Sequence, residues 1–414
     1  MQPVPVVHLV TNLTPGAAER SLFDLLVRID PALFDRTVVT TSGRTSHDVV
    51  RRFGTGGMRI VDLDLGLESH PSWRARYDAM VCVRDRLRRL QPRIVHTHGA
   101  LHNVLGAVAA RWAGVPHIMT EDAGPLPARR SDRWTMRWAA RLPDVAFVPT
   151  RVAADARRAV VDGTATRVMH LPHGVDLRRF SPAPALERRA ARSAFEIPAE
   201  VFVVGAVGNL LPHKRLDVLV DAMPLVLDRV PHAWFLIAGD GPERERLRQQ
   251  AHRLGVESRL RCTGWLDDIV RAYRALDAFV LLGDGREETG LTLAEAMACG
   301  IPALVRRSPL AQELCGDRAA IQLDARPRDV ARRIIELAQS SNDRSRLAAL
   351  ARSHALRHFD ITSSARLLEE IYAHCVARPH RPHPRPTTLP PTSLGLFDHE
   401  STSRARTQQP DRST

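Results

Sequence analysis

Residues Ala278–Gly300 read AFVLLGDGREETGLTLAEAMACG. A short apolar run ends at Leu282, a glycine-bearing turn follows, and from Leu291 the chain turns to good helix formers, among them Ala294, Ala296, Met297 and Ala298. Gly300 stands where such a helix stops, with Pro302 beyond it. A buried strand, a tight turn and a helix in that order make one unit of a parallel α/β sheet. The turn Thr289, Gly290, Leu291 then offers unpaired backbone N–H groups at a helix N-terminus, where the helix dipole also favours an anion. Gly290 leaves room for a ligand to approach the backbone. Glu287 lies before the turn and Glu295 about one helical turn inside it. Carboxylates only accept hydrogen bonds, so such a pair suits the hydroxyls of a ribose or a sugar. An isolated pair of acids is equally what solvated loop charges and a dipole-favoured helix acid would give.

The same alternation runs outward in both directions. Strands are expected at Val4–Val10, Thr37–Thr40, Arg59–Leu63, Arg93–Thr97, His117–Thr120, Val145–Val148 and Arg167–Leu171. A second series is expected at Val201–Val207, Ala233–Ala238, Leu260–Thr263, Ala278–Leu282, Pro302–Val305 and Ala320–Leu323. Amphipathic stretches such as Ala17–Arg28, Trp73–Leu90 and Leu216–Arg229 separate them. The proline- and charge-rich stretch SPAPALERRA (Ser181–Ala190) divides the two series. The expected architecture is α/β: two Rossmann-like, doubly wound domains facing a cleft, residues 1–180 and 199–358, joined by a linker at 181–198. A helix at 359–377 crosses back, and 378–414, rich in proline, serine, threonine and arginine, forms a disordered tail. Ligands of such sheets bind beyond the carboxyl ends of the strands, which places a site in the cleft.

A second element supports that site. Val203–Asp217 reads VVGAVGNLLPHKRLD, a strand and a glycine turn with Lys214 near a helix start; a lysine there can hold a diphosphate as a point charge. Gly239–Asp240–Gly241–Pro242 reads as a plain β-turn.

Together these stretches resemble the retaining glycosyltransferases of family four, which have the two-domain GT-B fold. The resemblance runs from about residue 5 to 375, and its most specific part is the E-x7-E pattern EETGLTLAE followed by AMACGIPAL. It implies that Glu295 binds the donor ribose, Glu287 the donor sugar, and the backbone at Thr289, Gly290 and Leu291 the phosphates. Lys214 matches the family's phosphate-binding lysine, whereas Asn209 stands where an arginine is usual; Arg215 lies close enough in sequence to contribute charge. The loop NLTPGAAERSLFDLL (Asn12–Leu26) resembles the family's glycine-rich loop, with Gly16 and Ala17 in place of a glycine pair approaching the donor. GDGPERERL, RCTGWLDDIVRAYRALDAFV and LPHGVDLRRFSP resemble its ordinary framework.

On the acceptor side, RIVHTHG (Arg93–Gly99) ends a strand with His96 and His98 on one face. A metal site with His102 finds no nearby acid to complete its ligands, so no metal is expected. The resemblance puts His98 at the cleft, and Asp122, after Glu121, where a functional histidine is frequent. Asp62–Leu63–Asp64 matches a D-x-D metal motif only formally.

The formal charge of +13, from 59 basic and 46 acidic residues, allows nucleic acid, an anionic membrane or phosphorylated small molecules as partners. Only 5% of residues are aromatic, so the stacking groove of a nucleic-acid binder is not expected. The loop TPGAAE lacks the G-x-G-x-x-G of a nicotinamide dehydrogenase. PLPARRSDRWTMRWAARL (Pro125–Leu142) sets Arg129–Arg141 among Trp134, Met136 and Trp138, a pattern that suits either an anionic membrane surface or helix packing. Five scattered cysteines, Cys82, Cys262, Cys299, Cys315 and Cys375, fit a reducing compartment, and no apolar run is long enough to span a bilayer. The expectation is a cytoplasmic, metal-independent, retaining transferase, peripheral at the membrane if the basic stretch binds lipid. It would move a sugar from a nucleotide-diphosphate sugar, its co-substrate and not a bound cofactor, to a glycan, lipid-linked or small-molecule acceptor. A degenerate, non-catalytic relative, suggested by Asn209 and Asp122, and a basic nucleic-acid-binding protein are the alternatives.

Overall fold

The computed structural model describes residues 2–66, 73–121, 139, 141–284 and 290–377. The first sheet has seven parallel strands: β1 (Val4–Val10), β2 (Phe34–Thr40), β3 (Arg59–Asp62), β4 (Ile94–His98), β5 (His117–Glu121), β6 (Val145–Val148) and β7 (Arg167–His170). Their order is β3-β2-β1-β4-β5-β6-β7. The second has six: β8 (Val203–Val207), β9 (Trp234–Ala238), β10 (Leu260–Cys262), β11 (Ala278–Leu281), β12 (Ala303–Arg306) and β13 (Ile321–Leu323). They run in the order β10-β9-β8-β11-β12-β13. Strand order therefore reverses between β1 and β4 in one sheet and between β8 and β11 in the other, and the loops leaving those four strands open a crevice.

Both sheets are covered on both faces, which explains their continuously apolar strands. Along β1, Val6 and Val10 join one core while Val7 and Leu9 join the core on the other face. The second sheet divides in the same way, with Val203 and Val207 on one side and Val204 and Ala206 on the other.

The stretch expected as a linker contains a helix, Ala185–Ala194. Its charges misled because Arg188 and Arg192 lie four residues apart on one face. Both reach Asp277 at 2.6 Å, and Arg192 Nε donates to Ala275 O at 3.1 Å. Ala191 is buried in the second domain's core, so these residues belong to that domain.

The last described helix, Ile361–Ala377, returns to the first domain and buries Leu368 and Tyr372 there. The returning chain docks on residues 174–175: Val175 N donates to Phe359 O at 2.7 Å and Ile361 N to Val175 O at 3.3 Å. The approach is close enough that a Cβ on Gly174 would lie 2.3 Å from the Ile361 Cα, a backbone atom. Gly174→Ala should therefore destabilise the protein by about 1–3 kcal/mol, the usual cost of overpacking. Urea denaturation checks this, and an unchanged midpoint would mean that the crossing does not need the close approach.

Candidate active site

A cleft of about 660 Å3 lies between the carboxyl ends of the two sheets. From the second sheet come the turns after β8 and β9 and the helix after β11. After β8 the chain passes Gly208 and Asn209 into a 3-10 turn, Pro212–Lys214, that carries Lys214. Gly208 and Gly239 both have positive φ (136° and 140°), and a Cβ on Gly239 would lie 2.0 Å from Gly208 O. The two turns can pack this tightly only as glycines, so Gly239, read from sequence as an ordinary turn residue, helps shape the cleft wall. Asp284 N donates to His213 O at 2.9 Å, which ties the loop after β11 to the lysine turn. Arg215 pairs with Asp217 at 3.3 Å and does not line the cleft.

Gly290 adopts φ 57° at the N-cap of the helix Leu291–Ala298, and no side chain caps that end. Leu291 and Thr292 line the cleft, so the amides of the first turn lie at its wall. Glu295 has 1% exposure, and both its oxygens are engaged. Arg20 Nη2 donates to Oε1 at 2.6 Å, and the Tyr273 hydroxyl donates to Oε2 at 2.6 Å. Burial, followed by the neighbouring Glu295 charge, pushes the Tyr273 hydroxyl well above its ordinary pKa, so it stays a donor. Arg20 comes from the other domain, on the helix Ala17–Leu26.

That helix begins at Gly16, which is extended (φ −177°), and the nearest heavy atom a Cβ there would meet is Thr14 O at 3.7 Å. Gly16 therefore serves an open approach and relieves no strain. Gly16, Ala17, Glu19 and Arg20 all line the cleft. Glu19 is paired with Arg52, whose guanidinium lies 4.7 Å from the centre of the Phe23 ring.

On the first domain's wall, strand register sets a polar row: His8 pairs with His96, and His98 with Glu121. His98 Nδ1 donates to Glu121 Oε2 at 2.6 Å and His173 Nε2 to Oε1 at 2.7 Å. Behind that pair, His98 Nε2 lies 3.0 Å from His8 Nδ1, a hydrogen bond whose direction is set by the tautomers of the two rings. His98, Glu121 and His173 line the cleft, while His8 and His96 are fully buried behind them. Burial alone would raise the Glu121 carboxyl, but the His98 charge and the hydrogen bonds from His173 and His98 hold it well below the usual carboxylate range.

The nitrogens of His8, His96 and His98 lie within 4.8 Å of one another, the one such group that could hold a metal among the described residues. These nitrogens already have partners within the protein, His8 Nδ1 with His98 Nε2 at 3.0 Å and His96 Nδ1 with the Tyr372 hydroxyl at 2.7 Å. His102 stands apart from this group, between the Thr11 and Thr41 hydroxyls at 3.2 and 2.8 Å. Asp62, at the end of β3, accepts from Thr45 in the loop after β2 at 2.9 Å, and neither it nor Asp64 lines the cleft.

Asp122, Glu287 and Thr289 lie outside the described residues, as do the tail from 378 and, except for Ala139 and Arg141, the stretch Arg129–Arg141. Sequence reasoning missed Arg20 and Tyr273, and His173 was taken for framework. The GAAER pattern held the one available signal for Arg20.

With this geometry established, two family models match the chain: "Glycosyltransferase Family 4" over residues 18–179 and "Glycosyl transferases group 1" over 187–354. Among curated relatives, a D-inositol 3-phosphate glycosyltransferase of Corynebacterium jeikeium is 30% identical over 54% of this chain and 56% of its own length. A GDP-mannose-dependent alpha-(1-6)-phosphatidylinositol monomannoside mannosyltransferase of Mycobacterium tuberculosis is 34% identical over 50% of this chain and 56% of its own. The chain thus spans about half the length of the curated relatives it matches. Anabaena Alr3699/HepE, solved with UDP and glucose, superposes with a TM-score of 0.76 at 19% identity, covering 89% of this chain and 99% of that one. At that identity the likeness shows the fold.

The buried histidines make acid stability a direct test of the site's interior. Burial lowers His8 and His96 well below the ordinary value, and burial followed by the His98 charge takes His102 down to about 4. In the unfolded chain these side chains take up a proton near pH ~6.5 and Glu121 near ~4.3, so in acid the unfolded state binds more protons. Their contribution is complete above about pH 6.5 and is lost as pH falls toward 4, about 3 kcal/mol for His102 alone. Denaturation midpoints should fall steadily from pH 7 to 4.5, and His102→Gln should flatten that slope; identical slopes would show that His102 does not stay neutral in the fold.

Proposed function

Since the chain belongs to the glycosyltransferase families whose models cover its two domains, we propose that it transfers a sugar from a nucleotide-diphosphate sugar to an acceptor hydroxyl, with retention and without a metal. The observation that carries this is the second domain's wall: Lys214, an uncapped helix N-terminus at Gly290–Thr292 and the Glu295 carboxylate on one cleft. Those groups match a nucleoside diphosphate piece by piece. The amides and the lysine take phosphate oxygens, and the carboxylate takes ribose hydroxyls. Glu287, eight positions before Glu295 in the E-x7-E pattern, is the proposed partner of the donor sugar.

In the reaction, the bond between the anomeric carbon and the phosphate oxygen breaks as the acceptor oxygen bonds to the same face. Negative charge grows on the leaving diphosphate, where Lys214 and the helix amides stabilise it. With retention, the acceptor proton passes to the departing phosphate oxygen. His98, Glu121 and His173 form a rigid, hydrogen-bonded rim opposite, suited to orienting the hydroxyls of sugar and acceptor, and Asp122 follows Glu121 in the chain.

The acceptor reading rests on different support. The relatives named above act on an inositol phosphate and a phosphatidylinositol mannoside, and the basic stretch Arg129–Arg141 would suit an acceptor at an anionic lipid surface.

Two measurements test the function. A thermal-shift screen of nucleoside diphosphates should raise the melting temperature for one base above the rest, since a ligand at 100 times its Kd adds about 2.7 kcal/mol. Lys214→Gln should then lower kcat/KM for the sugar donor so identified by about 100-fold. No stabilisation by any nucleoside diphosphate would count against the whole reading.

A further inference from the structure

Arg20 has no role in the donor site as read so far, yet it supplies half the fixed positive charge of the cleft. Among the described lining residues, two side chains are permanently cationic, Lys214 from one domain and Arg20 from the other. Three are carboxylates: Glu19, Glu121 and Glu295. Glu19 is matched by Arg52, and Glu121 by two imidazoles. The nearest reinforcement for Lys214 in sequence, Arg215, is turned to Asp217, and Asn209 brings no charge. A diphosphate entering the cleft thus meets Lys214 and a guanidinium that is occupied by Glu295.

That occupation is partial. Glu295 Oε1 is the one side-chain or backbone acceptor that the guanidinium meets among the described residues, through a single nitrogen, although the fork carries five donors. The Phe180 ring, with its centre 5.8 Å from the Arg20 Cζ, supports the plane without taking a hydrogen bond. Glu295 is also held from the other side, by Tyr273 at 2.6 Å, so it keeps its place when Arg20 moves away.

We propose that Arg20 is a second phosphate ligand of the donor, reached across the cleft by a change of partner. When ribose hydroxyls donate to Glu295, the Arg20 guanidinium passes from the carboxylate to the diphosphate. Every charge has a partner before and after: Glu295 exchanges one donor for others, and Arg20 exchanges one anion for another. The swap replaces a link between the domains with one that runs through the donor itself. A pair that stayed intact would instead keep Glu295 Oε1 engaged and hold the guanidinium at the carboxylate. The proposal rests on the reading of Glu295 and Lys214 as the donor site.

The test is calorimetric titration of the wild type, Arg20→Gln and Arg20→Lys with UDP and GDP, and with UMP and GMP for comparison. Arg20→Gln should lose roughly 10- to 100-fold in affinity for the nucleoside diphosphate, as expected when one charge-assisted contact is removed. The loss for the corresponding monophosphate should be several-fold smaller. Arg20→Lys, which keeps the charge and lacks the planar fork, should fall between and provides the reading if the glutamine variant melts early. Tighter binding by either variant would overturn the proposal, because the ion pair would then be a brake on donor entry. Equal losses for diphosphate and monophosphate would also overturn it, leaving Arg20 a purely structural partner of Glu295. If the wild type binds none of the four nucleotides, the donor-site reading fails first and the proposal with it.

Discussion

A carboxylate with 1% exposure inside a domain must be neutralised, and Glu295 draws its cation from the opposite domain. Leaving such a charge unpaired costs several kcal/mol. The helix Ala17–Leu26 must therefore lie within an arginine side chain's reach of the helix Leu291–Ala298, with the turns that precede both helices lining one cleft. One ion pair, 2.6 Å long, thus joins the two domains at the floor of the cleft. Tyr273 sharpens the constraint. It fixes the second carboxylate oxygen from within the second domain, so the ion pair has a single geometry.

A second contact between the domains obeys the same electrostatics in reverse. The helix Arg151–Val161 belongs to the first domain, yet its first amides donate to a carboxylate of the second: Arg151 N and Val152 N reach Glu313 at 2.5 and 2.9 Å. A negative group at a helix N-terminus is favoured by the dipole, so this end, unlike those at Gly16 and Gly290, is already filled by the protein. Uncapped helix starts at the cleft and a capped one beside it separate the ends available to a ligand from the end used for assembly.

The sheets were legible because burial on both faces leaves strands such as Val145–Val148 with no polar alternation to confuse them. Element order followed, and with it both domains. The helix Ala185–Ala194 was not legible, since Arg188 and Arg192 look like solvated charge until Asp277, some 85 residues later, supplies their partner. The second domain's cleft wall was legible for a similar reason to the sheets: Leu291, Glu295 and Lys214 each sit within one strand–turn–helix unit, so spacing alone places them on the cleft. Arg20 and Tyr273 were not, because their role exists only in contact with Glu295, 275 and 22 residues away in sequence.

The acceptor side was harder to read for a reason that also bears on its chemistry. His98 is a cleft residue by its place at the end of β4, but what fixes it is a hydrogen-bonded row that runs across the sheet: His173 and Glu121, then His98, then His8. Each member comes from a different strand or loop, and cross-strand register is invisible to local pattern. The row also makes protonation collective. Glu121 stays ionised because two imidazoles face it, and His8 stays neutral because it is buried behind them, with the charges of His96 and His98 acting in the same direction. Moving one proton on His98 would change the hydrogen-bonding role of both neighbours. The row is thus held rigidly, each ring fixed by a partner on another strand or loop. The cleft thus has one wall of helix amides with Lys214 and an opposite wall fixed by the His98–Glu121–His173 hydrogen bonds.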